Sequence, residues 1–151
     1  MLQLRIHENL LGVRQEYWDL CFDETNGEFS VLHTNFFDDT KAKLPCYDFI
    51  HWIAARLRSN GLRSIRTQNN KYLAAFEIGN NSNAAGKGAV KHLCFDDARG
   101  IFFVLETVTV ITDQGKFLPQ ENIHQKNSQV AEIAYVLWSR LGFVRMTDVV
   151  N

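Results

Sequence analysis

Gly100-Ile101-Phe102-Phe103-Val104-Leu105-Glu106-Thr107-Val108-Thr109-Val110-Ile111-Thr112 decides the fold. From Ile101 to Ile111 it holds eight strongly apolar residues and one charge. β-Branched and aromatic side chains dominate, which favours strand over helix. At the two-residue period of a strand, one face carries Phe102, Val104, Glu106, Val108 and Val110. The other carries Ile101, Phe103, Leu105, Thr107, Thr109 and Ile111. Both faces are largely apolar, so this strand belongs at the centre of a sheet.

The rest of the chain is read outward from it. Thr112-Asp113-Gln114-Gly115 turns into a short return strand over 116–118 that stops at Pro119. A closing helix follows. Ser128 is placed to cap its N-terminus. Val130, Ile133, Ala134, Leu137, Trp138 and Leu141 fall on one helical stripe. Gly142 ends it, and Phe143 packs back over the last turn. Upstream, residues 72–78 and 89–95 read as strands around the polar loop 79–88.

The first half has the same plan. Strands are expected at 2–6, 13–22 and 28–36, with a turn at Asp23-Glu24-Thr25-Asn26-Gly27. Residues 37–43 read as a loop. Pro45 suits a helix start, and Phe49, Ile50, Ile53, Ala54 and Leu57 make one apolar face. Asn60-Gly61 stops that helix, and 62–70 is an irregular basic connection. The expected fold is α+β in the order βββα-βββα. It is one domain over 1–151, with a single, mostly antiparallel sheet of six to seven strands and both helices on one face. The halves share a plan without visible sequence identity.

The chain has 151 residues, 46% hydrophobic and 22% charged, which is ordinary for a single folded domain. No apolar run approaches the roughly 20 residues of a membrane span, so no membrane contact is expected. The N-terminus lacks a basic start followed by an apolar stretch, so no secretory signal is expected. Cys21, Cys46 and Cys94 are far apart and odd in number. They read as small buried hydrophobes in a reducing cytoplasm rather than a disulfide framework.

The formal net charge of −1 is unevenly spread. Residues 1–48 hold nine acids and four bases, residues 49–95 one acid and seven bases, and residues 96–151 seven acids and five bases. The basic middle suits an anion or the acidic first third. The overall balance argues against a broad nucleic-acid surface.

Three groups of residues carry chemistry. Glu106 is a carboxylate on an apolar strand face: a general acid or base, or an anchor for a cation, if the site is dry. A half-exposed sheet face, or a cross-strand pair with Lys91 or an arginine, is the plainer reading. Glu106, His92 and His33 are the candidate ligand-binding residues, with His33 also read as a core histidine beside Phe29 and Val31. Trp52, Arg56, Arg63 and Arg66 are the candidate anion-binding set, with Trp52 one turn from Arg56 and in stacking reach. A solvated helix end accounts for the same arginines. His92 and Cys94 share a strand face, but no second pair completes a metal site. Gly86-Lys87-Gly88 fails as a phosphate loop, since no Ser or Thr follows the lysine and a strand follows where a helix should. No catalytic residue, metal or cofactor is assigned. A Cys–His nucleophile through Cys46 or Cys94 has no local support.

These readings favour a non-enzymatic binding protein, of inhibitor, immunity or adaptor type, with self-association fitting the same reading. The alternative is a small-molecule binder or minor enzyme with Glu106 in a pocket. Third comes a weak nucleic-acid or anion contact along 56–71.

Overall fold

The computed structural model describes residues 1–66, 71–80, 89–124 and 130–146. The first half runs β1 (Leu2–Leu11), β2 (Arg14–Phe22), β3 (Phe29–Asn35), β4 (Thr40–Leu44), a 3-10 turn at Cys46–Phe49 and α1 (Ile50–Ser59). The second runs β5 (Arg63–Arg66), β6 (Lys71–Asn80), β7 (Ala89–Asp96), β8 (Ile101–Ile111), β9 (Phe117–His124), α2 (Val130–Arg140) and β10 (Val144–Arg145). Among the described residues the protein is therefore α+β, with two α-helices and antiparallel strands. The single sheet expected from the sequence is replaced by two five-stranded sheets, ordered β10-β1-β2-β3-β4 and β5-β6-β7-β8-β9. The βββα-βββα order is corrected too, by strands at β4, β5 and β10.

Those three strands escape a reading by hydrophobic alternation for one physical reason: they are edges. An edge strand covers little and is kept polar. In β4, Thr40, Lys41, Ala42 and Lys43 are exposed and Leu44 is half-buried. β5 is Arg63-Ser64-Ile65-Arg66. β10 pairs only Leu2 with Arg145 and Gln3 with Val144. β9 is also an edge, which lets it run through Pro119, because an outward-facing position needs no N–H.

One core joins both sheets and both helices. Leu2 and Leu4 of β1, Leu20 and Phe22 of β2, and Ile53 and Leu57 of α1 meet in it. Leu93 and Phe95 of β7, Phe102 and Val104 of β8, and Ile133 and Leu137 of α2 complete it. Each such side chain contributes on the order of 1.5–3 kcal/mol on burial. The other face of β8 is also covered: Phe103 and Leu105 pack with Cys94 against Tyr72. β8 thus lies inside its sheet, next to the edge strand β9 and not at the centre, with both faces buried over Phe102–Leu105 and half-buried to exposed beyond.

The helices end against each other. Leu62 donates its N–H to the Leu57 carbonyl at 2.9 Å, and Phe143 donates to the Leu137 carbonyl at 3.0 Å. Gly142 sits at φ +74°, where glycine avoids the strain of a side chain. Asn60, just past α1, donates from Nδ2 to the Leu141 carbonyl at the end of α2, at 2.8 Å. A Cβ on Gly142 would lie 3.2 Å from that same Nδ2. β10 then returns the chain to β1, and Met146 donates its N–H to the Met1 carbonyl at 3.0 Å.

β1 also carries a bulge. Arg5 pairs with Asp19 and His7 with Trp18, so Ile6 is the extra residue. The alternation of the sequence sets His7 beside Gln3 and Arg5. The bulge breaks that period, keeps Ile6 in the core and turns His7 toward the helix side.

Candidate functional site

His7 lies flat on Trp52 of α1, with ring centroids 4.0 Å apart and planes 12° apart. His33 lies flat on Trp18 at 4.5 Å and 11°. Trp18 meets Trp52 edge-on at 5.6 Å. Two candidates from separate sets, His33 and Trp52, thus join one aromatic cluster. The ring stacked on Trp52 is His7, where the sequence suggested Arg56. The His33 Nε2 is 3.5 Å from Glu16 Oε1. Phe29, Trp18 and Trp52 pack on the main core, so much of this cluster is structural. Arg56 is exposed and lines a cleft of about 330 Å³ with Arg5, Ile6, His7 and Glu8. Arg5 is already held by Asp19, through Nε at 3.0 Å, and lies over the Tyr17 ring. Arg63 is exposed on β5, opposite Ala74, and Arg66 stands opposite Lys71. The four members of the anion set therefore divide between α1 and an edge strand.

In the second sheet Glu106 is half-buried, with Lys91 directly across on β7 and Asn122 across on β9. His92 is half-buried and stands opposite Leu105 and Glu77. Cys94 is fully buried, and its Sγ donates to the His92 carbonyl at 3.9 Å. Among the described residues no group of three or more His, Cys, Asp or Glu is arranged to hold a metal ion. Burial pushes the Cys21 and Cys46 thiols up to about 11, the neighbouring Asp19 adding to the first. A thiol that keeps its proton is a poor nucleophile. The helix cap assigned to Ser128 and the loop at 81–88 lie outside the described residues.

The outer face of α2 holds what the sequence missed. The stripe read from its period put Trp138 in the core. The helix instead buries Ile133, Val136 and Leu137, and leaves Trp138 58% and Tyr135 64% exposed. Both stripes satisfy the same i, i+3, i+4 spacing, and only the two-sheet arrangement chooses between them. Tyr135 forms a ridge between two clefts. Glu77 and Ile78 of β6, with Ala131, Glu132, Val136 and Arg140, line one of about 360 Å³. Glu24, Arg145, Ala131, Ala134 and Trp138 line the other, of about 320 Å³. Arg145 Nη1 donates to Glu24 Oε2 at 2.7 Å across the floor of the second. Arg140 has an interaction partner of its own.

A second apolar patch sits at the ends of two hairpins of the first sheet. Leu10, Leu11, Val13, Phe36 and Phe37 are 54–81% exposed there. The tips are joined by the Phe36 N–H donating to the Gln15 carbonyl at 2.9 Å.

No helix among the described residues is long and apolar enough to cross a membrane. The chain matches no family model, no curated protein and no solved structure.

Proposed function

We propose that the protein is an interaction module that binds a protein partner through the outer face of α2, without chemistry of its own. The observation that carries this reading is the exposure of Tyr135 and Trp138 beside two clefts, on a helix whose other side is fully used in the core. Aromatic side chains dominate binding hot spots, because they bring large contact area at low conformational cost. Contiguous exposed apolar surface is the usual mark of such a contact. The hairpin-tip patch supports a second reading of the same kind, with Phe36 and Phe37 as anchors.

A photo-crosslinking amino acid at position 135, compared with position 37 and the exposed position 116, tests this in lysate of the source cell. Discrete adducts at 135 that vanish in Trp138→Arg support the α2 face. Discrete adducts only at 37 transfer the contact to the hairpin tips. The same diffuse labelling at 135 and 116 refutes the module reading.

A further inference from the structure

We propose that the cleft between α2 and β6 receives a basic segment of the partner, with an arginine or lysine head between Glu77 and Glu132 and its stem along Tyr135. This rests on the reading of the α2 face as the contact surface and adds the chemistry of what it contacts.

The cleft is built for an amphipathic cation. Its floor is apolar, from Ile78, Ala131 and Val136, with the Tyr135 ring as a wall. Glu77 and Glu132 are exposed carboxylates on its rim, and no ion pair among the described residues engages either. Arg140 is already engaged, and across the ridge Arg145 is neutralised by Glu24. With two carboxylates, Glu77 and Glu132, against the one guanidinium of Arg140, the formal charge lining the cleft is negative. A long basic side chain has an aliphatic stem for the floor and a cationic head for the rim. A guanidinium also stacks on a tyrosine ring and takes carboxylates through paired N–H donors. At about 360 Å³ the space lies at the small end of ligand clefts, enough for one or two side chains.

The test uses two labelled dodecapeptides, one alternating leucine and arginine, the other with citrulline at each arginine position. Citrulline keeps the shape and removes the charge. Fluorescence anisotropy reads their binding to the intact protein and to E77Q/E132Q, Tyr135→Ala and Trp138→Ala. These residues are exposed, and unchanged melting curves verify the variants. The arginine peptide should bind at least tenfold tighter than the citrulline peptide, and at least tenfold tighter than it binds E77Q/E132Q. Its affinity should fall with salt. Equal binding of both peptides, or no effect of E77Q/E132Q, overturns the basic partner. If Tyr135→Ala and Trp138→Ala still weaken both peptides in that case, the α2 contact face survives. Binding of neither peptide, or binding blind to Tyr135 and Trp138, removes both readings. Self-association that is lost in Tyr135→Ala would give the cleft to a second copy and also overturn the proposal.

Discussion

Asn60 ties the two helix ends together, and its replacement gives the sharpest test of the architecture. Its Nδ2 donates 2.8 Å to the carbonyl of Leu141, a residue 81 positions further along the chain. Its backbone, at φ −95° and ψ 9°, is open to any residue, so alanine brings no strain there. Asn60→Ala removes one hydrogen bond, worth about 1 kcal/mol net, and leaves a carbonyl without its donor, which costs about 1–3 kcal/mol when buried. Asn60 is half-buried, so water relieves part of that, and a loss of about 1–2 kcal/mol is expected. Asn60→Asp has the same shape and no donor. It sets a carboxylate against a carbonyl oxygen and against the negative ends of two helices, each adding about 0.3–1 kcal/mol. The aspartate should therefore cost about 2–4 kcal/mol. Urea unfolding followed by far-UV circular dichroism reads the midpoint, with a single transition and an unchanged slope in all three proteins. An aspartate variant as stable as the alanine variant, or an alanine variant indistinguishable from the parent, refutes the joined helix ends.

Three further outcomes follow from the packing. Tyr135→Ala and Trp138→Ala should change stability by less than about 0.5 kcal/mol, while Leu137→Ala, in the same helix and fully buried, should cost about 2–5 kcal/mol; thermal melts decide it. The Cys21 and Cys46 thiols should resist a disulfide reagent at pH 8 until the chain unfolds. Both are raised to about 11 from 9.0, so the folded state keeps protons that the unfolded state loses. Their contribution is complete below pH 9 and is lost as pH rises from 9 toward 11, which urea midpoints across that range will show. Gly100→Ala should destabilise by about 1–3 kcal/mol in the same denaturation assay, because φ is +69° and the new Cβ would stand 2.9 Å from Ile50 Cδ1 and 3.3 Å from Cys46 Cβ.

How much of this was legible depends on whether an element spends apolar residues. β8, α1 and α2 do, and their positions follow from composition and period alone. β4, β5 and β10 are short edge strands, largely polar in sequence, so they carry no alternation to read. That silence is also why the sequence reads as one sheet in place of two. The site was legible in pieces. Trp52 and His33 stood out as residues, but the bulge that brings His7 between Trp18 and Trp52 breaks the period on which a strand reading depends. The helical period places Trp138 on a core stripe, but a second stripe on α2 fits it equally well. The tertiary arrangement buries Val136 and releases the tryptophan, and with it the ridge on which the proposed contact rests.

The pairing of β10 with β1 also has a consequence in time. Leu2 and Arg145 stand about 140 residues apart in the chain, yet they are neighbours in one sheet. At a synthesis rate of roughly 5–20 residues per second, β1 is made on the order of ten seconds before its flanking strand exists. During that interval the backbone edge at Leu2 and Gln3 is open, a template for stray pairing. Past Gln3 β10 does not cover this edge, and there the bulge at Ile6 and the charges of Arg5 and Glu8 keep it from being flat and apolar. The same irregularity that places His7 in the aromatic cluster thus also breaks up the part of this edge that β10 leaves uncovered.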